Sequence, residues 1–313
     1  MMSLLPQGNI LAYGVNEMEH DPPIISCKCV AFRLDDIQDY FLNQPQMEVI
    51  KTFERKNVSL TVGVIGNSFG NDVVLTEFLK TTLLNDENNL EVANHGWNHE
   101  DFTLFDKDQQ SALLSKSNKK ISEKLGVMPQ VFIAPYNKMN NDTLIAMAEN
   151  SMHIISAHVS ANNGPFVKNL TNVDGNELGS NFVIHHLPST AETGDLNDDD
   201  TQWIGRNHAE TLNEVKTSME KYGYALVTMH PQEFSVREGL NYQNKVDRAQ
   251  LLELEMLLDS LRNEGYDIVT ISQLANYSNV PELGGFWYAI LALPLAMVIV
   301  YAKKGNLWCI SEK

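Results

Sequence analysis

The chain has 313 residues, 43% hydrophobic and 20% charged, enough to bury a substantial core and too apolar for wholesale disorder. Its 40 acidic and 23 basic side chains give a formal net charge of −17, which excludes the basic footprint that non-specific nucleic-acid binding requires. The 3 cysteines, Cys27, Cys29 and Cys309, provide neither a disulfide framework nor a Cys-x-x-Cys zinc pair, and they leave the redox compartment open.

Residues 1–24 read as an N-terminal extension. Leu4-Leu5 and Ile10-Leu11-Ala12-Tyr13 lack a basic n-region and make too short an apolar core for a complete signal peptide, so they are either the tail of one or a plain extension. From 25 to 277, short apolar runs at 29–34, 58–65, 90–93, 131–133, 154–157, 182–186, 225–229 and 267–271 alternate with segments of helical period. Those segments are 47–55, 73–84, 109–125, 143–149, 209–222 and 246–262. This rhythm predicts βα units around a parallel sheet, and the number of strands favours a barrel, complete or distorted, over an open doubly wound sheet. The polar stretches 160–180 and 189–202 read as long loops at one end of the sheet. No repeat or linker divides 25–277, which is taken as one catalytic-type domain.

Residues capable of chemistry gather where the predicted strands end. Asp35-Asp36 follows the first apolar run, and two adjacent carboxylates there need neutralising, by a metal or by capping of the next helix. Gly66-Asn67-Ser68-Phe69-Gly70 follows the second run and fits the Gly-x-Ser-x-Gly nucleophile elbow, for which Asp174 or Asp195 and His230 are candidate partners. His95-Gly96-Trp97-Asn98-His99 follows the third. Histidines at i and i+4 share a face on a helical turn, and two imidazoles with a carboxylate make the facial ligand set of an open catalytic metal site. Pro135-Tyr136 ends the fourth run and can present a backbone N–H beside an aromatic ring. His185-His186 ends another, with His186 or His185 either lining a substrate pocket or buried and hydrogen-bonded. His230 ends 225–229 and has the proton affinity of a general acid for a leaving group.

From 284 to 302 the chain carries no charge, and Lys303-Lys304 follows at once. As a helix it would span about 28 Å, close to a hydrocarbon core, with Phe286-Trp287-Tyr288 at one interface and the lysines as a cytoplasmic stop. A C-terminal transmembrane segment within 281–304 is therefore expected, with the catalytic body outside. The alternative is a buried helix containing Pro294. Asn-x-Ser/Thr sequons begin at Asn57, Asn141, Asn169 and Asn276 and matter only outside the cell. Pro281-Glu282-Leu283-Gly284, the apolar run and the lysine pair also resemble the PEFG-type sorting signal of archaeal surface proteins, with Leu283 where the Phe stands. That resemblance implies a sortase-like processing enzyme as a partner.

In order, Asp-Asp, His-x3-His, Pro-Tyr and strand-end His resemble the motif series of the polysaccharide deacetylases, the NodB-like carbohydrate esterases of family 4. The resemblance implies a distorted (β/α) barrel of the NodB-homology type and hydrolysis of N-acetyl groups on a glycan or glycoconjugate. It further implies that Asp36, His95 and His99 bind a divalent metal, usually Zn2+, with Co2+, Mn2+ or Ni2+ as alternatives. Asp35 would be the base, His230 the acid, and the Tyr136 N–H a stabiliser of the oxyanion. Trp97, Pro135 and His186 are carried as supporting or substrate-contacting residues. Gly96 stands in the Ser/Thr position of the second motif, and Ile133 stands where the third motif has Arg. The fourth motif, an Asp/Trp pair supporting the acid, has no identifiable match. Arg33 lies two residues before Asp35 and shares its strand face, so it either replaces the missing Arg or pairs with an acid at the rim. Two rival functions stay open: a serine hydrolase built on Ser68, and a glycan-binding module without activity.

Overall fold

The computed structural model describes residues 27–84, 90–158, 164–173, 176–197 and 201–277. The expected N-terminal extension and C-terminal apolar segment lie outside these residues. No helix among the described residues is long and apolar enough to cross a membrane.

In chain order the elements are β1 (Cys29–Ile37), α1 (Asn43–Lys56), β2 (Leu60–Val64), α2 (Val73–Leu83), β3 (Leu90–Asn94), α3 (Lys107–Leu125), β4 (Val131–Ile133), α4 (Asn141–Glu149) and β5 (Ile154–Ser156). There follow β6 (Phe166–Val173), β7 (Asn176–His186), β8 (Ala191–Glu192), β9 (Gly194–Leu196), β10 (Trp203–Gly205), α5 (His208–Tyr222) and β11 (Tyr224–Met229). The last are β12 (Ser235–Glu238), β13 (Asn241–Val246), α6 (Arg248–Asn263), β14 (Asp267–Val269) and α7 (Ile271–Tyr277). Polar side chains start the helices where the sequence changes period. Asp72 accepts the Val74 and Leu75 amides, Asp106 and Gln109 form a capping box on α3, and Gly126 and Gly223 end α3 and α5 in left-handed geometry.

The central sheet runs β6-β7-β5-β4-β3-β2-β1-β11-β8, with β14 also pairing β1. Every pair is parallel except β6 with β7. This is the mixed α/β architecture expected, but the ladder does not close into a barrel. The segment 187–193, which includes the edge strand β8, runs between β5 and β11. On one side Leu187 N and Ser189 N donate to Ile155 O and Ala157 O, at 2.9 and 2.7 Å. On the other, Thr190 N and Thr193 N donate to Leu226 O and Thr228 O, at 2.9 and 3.1 Å. The two polar stretches expected to be loops supply much of this margin: the first holds most of the β6/β7 hairpin and the second holds β8 and β9. Strands at a sheet margin lack the apolar runs of interior parallel strands, which is why their sequence reads as loop. Cys27 and Cys29 are joined by a disulfide at the start of β1, a local bridge and not a framework.

Period-2 alternation along β1 decides what faces the interior. Val30, Phe32 and Leu34 pack outward with Val49, Ile50 and Phe53 of α1 and Leu254 and Leu258 of α6. Cys29 and Ala31 turn the other way, among Ala93, Ile133, Ile154 and Leu226. Arg33 and Asp35 continue that inner row, only 1% and 2% exposed. Their side chains pair, Arg33 Nη2 lying 3.2 Å from Asp35 Oδ2. Arg33→Met, by stranding a buried carboxylate, is expected to lower unfolding stability by about 3–5 kcal/mol in a denaturant titration, and adding Asp35→Leu to recover part of the loss. A loss under about 1 kcal/mol for Arg33→Met would mean the pair behaves like a surface ion pair.

Candidate active site and metal centre

Adjacent residues on a regular strand point to opposite faces, so Asp35 and Asp36 reach one site only if the strand breaks its pattern. It does so here. The β1–β2 register shifts between Leu34 and Ile37, and Asp36 has a left-handed backbone at φ 61°. His99, Tyr136 and Asn137 share this conformation, at φ 58°, 55° and 56°, so left-handed backbone recurs in the loops that follow the strands.

His95 extends the β3 ladder through its amide, which donates to Val64 O at 2.9 Å. Its Nδ1 is 2.8 Å from Ile133 O; a carbonyl only accepts, so Nδ1 carries the proton and Nε2 keeps its lone pair for a ligand. Residues 95–99 do not form the helical turn that the i, i+4 spacing suggests. Left-handed Gly96 and His99 curl the loop instead, bringing the two imidazoles together with ring centroids 4.8 Å apart. The Gly66–Ser68 turn braces this loop: Gly66 N donates to Gly96 O at 3.0 Å and Asn67 N to Trp97 O at 2.8 Å. Ser117 Oγ donates to the same Gly96 carbonyl at 3.0 Å, and a Cβ on Gly66 would meet Ser117 Cα at 2.9 Å. The glycine that suggested a nucleophile elbow is thus required by this close packing. Among the described residues no histidine or carboxylate hydrogen-bonds the Ser68 hydroxyl, and the nominated Asp195 is paired with Arg206. Asp174 lies outside the described residues.

Asp36 Oδ1 stands 3.4 Å from Nε2 of both His95 and His99, and the three ligand atoms lie within 4.8 Å of one another. Burial alone would raise the Asp36 carboxyl, but the His95 hydrogen bond and the charges of His95, His230 and His99 outweigh it and hold it well below the usual carboxylate range. Burial likewise works against a charged His95, yet Asp35 and Asp36 raise its proton affinity overall. His99 is lowered, by burial first and by His95 second. When both imidazoles are neutral, their two Nε2 atoms and one carboxylate oxygen form a donor set suited to Zn2+ or another late first-row divalent cation.

The interior charge pair flanks this cluster. Besides its ion pair with Asp35, Arg33 donates from Nη2 to Asn137 Oδ1 at 2.7 Å and from Nη1 to Ser156 Oγ at 2.9 Å, while its Nε is buried without a partner. Asp35 Oδ1 is buried without a hydrogen-bond partner. Ile133 is wholly buried and contributes its carbonyl to His95 rather than any charge. Buried Pro135 opens the turn that carries Tyr136, whose ring stands edge-on to His99 with centroids 4.7 Å apart. The Trp97 ring lies instead under Lys116 Nζ, 4.1 Å from its centroid. His186 pairs with Ile155 on β5, so it faces the side of the ladder opposite Ser156. Burial pushes it down to about 4 despite its bond to Gly164 O, and its Nε2 is buried without a partner.

His230 follows β11. Its backbone N and Nδ1 both approach Glu233 Oε1, at 2.9 and 3.2 Å, and the Trp203 ring stacks on it with centroids 3.8 Å apart and planes 21° from parallel. Glu233, closed off from solvent, accepts the Thr193 hydroxyl on its other oxygen. A Cβ on Gly194 would lie 2.7 Å from Glu233 Cγ, so the residue beside this carboxylate must be glycine. Burial lowers the proton affinity of His230, but the Glu233 hydrogen bond and charge, with Asp35 and Asp36, raise it overall. Sequence reasoning missed Glu233 and Trp203. The i+3 acid after a strand-end histidine, a capping-box spacing, was the available signal for Glu233; Trp203 arrives from the β9/β10 hairpin with no spacing to reveal it.

Residues 25–155 match the family model described as polysaccharide deacetylase. No curated protein matches the chain. Among solved structures, a Mycobacterium smegmatis protein assigned to the polysaccharide deacetylases superposes with a TM-score of 0.56 at 18% identity, covering 84% of this chain and 97% of the other. A family 4 acetyl xylan esterase from Clostridium thermocellum, solved in complex with a cobalt ion, gives 0.51 at 15% identity, over 81% of this chain and 93% of the other. A CE4 family pseudoenzyme from Bacillus anthracis gives 0.52 at 15% identity, over 80% of this chain and 66% of the other. A mutant of that pseudoenzyme has restored enzymatic activity. At such identities the structural likeness is one of fold. Residues 25–155 are therefore similar to the polysaccharide deacetylase family, and the fold is the one seen in the CE4 structures.

Proposed function

We propose that residues 25–277 are a divalent-metal-dependent deacetylase acting on N-acetyl groups of a glycan or glycoconjugate. The observation that carries this reading is the convergence of Asp36, His95 and His99 beside a second, separately held carboxylate and a strand-end histidine. A cation held by Asp36 Oδ1 and the two Nε2 atoms would supply Lewis-acid polarisation of the acetyl carbonyl and acidify a water molecule. Asp35 is the base: Arg33 holds its Oδ2, and Oδ1, which has no partner, takes the proton from the attacking water. The water oxygen bonds to the acetyl carbon, and the Tyr136 N–H, presented by a left-handed turn, is the candidate donor to the oxyanion. His230 is the acid. Glu233 accepts from Nδ1, leaving the Nε2 proton for the departing nitrogen as the C–N bond breaks to release acetate and an amine.

Loss of the motif arginine to Ile133 favours a glycan-binding module as the second reading, and the Bacillus anthracis pseudoenzyme is a precedent for inactivity within the fold. Arg33 answers that objection by supplying a guanidinium to Asp35 from within β1. We infer that the activity lies outside the cytoplasm, tethered through 284–302 and open to a sortase-like processing enzyme, a reading that rests on the apolar run and lysine pair of the sequence. Exposure of Asn57, Asn141, Asn169 and Asn276 suits that placement.

The test is acetate release from N-acetylated oligosaccharides by the full chain. Activity is expected to disappear on chelation and return with Zn2+, Co2+ or Mn2+. Activity that survives chelation and is abolished by a fluorophosphonate would implicate Ser68 instead, and sugar binding without acetate release under any metal would leave the binding module. A further expectation concerns pH. His230 works while protonated and Glu233 raises its proton affinity, so Glu233→Gln lets it deprotonate at lower pH. The basic limb of kcat/KM should move to lower pH; an unmoved limb would remove Glu233 from the acid's support.

A further inference from the structure

Gln232 lies in the turn Pro231–Phe234, between the proposed acid His230 and its holder Glu233. It reaches back across the site: Nε2 donates to Asp36 Oδ2 at 3.3 Å. This is the only side-chain hydrogen bond of Gln232 among the described residues, and its Oε1 is buried without a partner. Burying a carboxamide with one end unsatisfied costs stability, so its position calls for a reason. The two oxygens of Asp36 are divided. Oδ1 faces the Nε2 atoms of His95 and His99, while Oδ2 is retained by Gln232.

The backbone beneath Gln232 is held at several points. Glu233 N donates to His230 O at 3.1 Å, Glu233 Oε1 receives the His230 amide, and Asp247 N ties Phe234 O at 2.8 Å. The amide is therefore presented from a fixed turn. Resting on the metal reading above, the geometry points to Gln232 as a positioning residue that keeps Asp36 a one-oxygen ligand and links the cation site to the His230 turn. A carboxylate free to rotate would bring both oxygens to the cation and fill a position that an open catalytic site leaves for water and substrate. One short turn thus delivers the acid, the group that orients the acid, and the group that orients a metal ligand.

The experiment measures Co2+ affinity of the full chain by competition with a chromophoric chelator, together with the visible spectrum of the Co2+-loaded protein. Gln232→Met keeps the bulk of the side chain and removes the donor. Gln232→Asn keeps a carboxamide too short to reach Asp36, and it decides the matter if the first variant does not fold by circular dichroism. Both are expected to weaken Co2+ binding by about 10- to 100-fold and to alter the d–d bands as the coordination changes. Wild-type affinity and an unchanged spectrum in a folded variant would overturn the role of Gln232 while leaving the metal reading intact. Failure of the wild-type chain itself to bind Co2+ would overturn both.

Discussion

A guanidinium buried inside the sheet is the constraint on which the rest of the site depends. Arg33 has no access to water, so every proton it presents must find an acceptor within the fold or carry a desolvation cost. Its partners come from three places, an ion pair with Asp35 on its own strand and hydrogen bonds to Asn137 in the turn after β4 and Ser156 on β5, and its Nε is left without an acceptor. Meeting the electrostatic demand of one side chain therefore draws the end of β1, the Tyr136 turn and β5 toward a common centre. The same pairing allows a carboxylate to stand almost fully buried beside a cluster of metal-ligating type.

Around that centre each reactive group has a holder that differs from its neighbour's. Arg33 fixes Asp35, Gln232 retains one oxygen of Asp36, the Ile133 carbonyl sets the tautomer of His95, and Glu233 with Trp203 sets His230. Separate holders let two adjacent carboxylates take different work, one directed at a cation and the other left with a free oxygen. The cost appears in the backbone, where Asp36, His99, Tyr136 and Asn137 all adopt left-handed conformations. Regular ladders and the apolar clusters on both sides of the sheet bear that strain.

Much of this was legible in the sequence. Apolar runs marked the strand ends that bear Asp35-Asp36, His95 and His230, because interior parallel strands are buried on both faces and read as unbroken apolar segments. The placing of Arg33 beside Asp35 followed from the period of a strand. The margin of the sheet was only partly legible: the apolar end of β7 at 182–186 reads as a strand, whereas β6, the start of β7 and most of the spanning segment 187–193 have the composition of loops. Nor was the support of His230 legible, since Trp203 arrives through a separate hairpin and Glu233 resembles an ordinary capping acid. The glycines of the Gly66 turn are ambiguous in the sequence, because close packing against Ser117 demands at Gly66 the same residue as a nucleophile elbow.

The central claim is that Asp35 and Asp36, adjacent in the chain, do different work. It is tested most directly by measuring bound Zn2+ per chain and acetate release side by side for Asp35→Asn and Asp36→Ala. The account expects Asp35→Asn to keep its metal and lose turnover, and Asp36→Ala to lose both. Equal loss of metal in the two variants, or turnover that persists without Asp35, would contradict it.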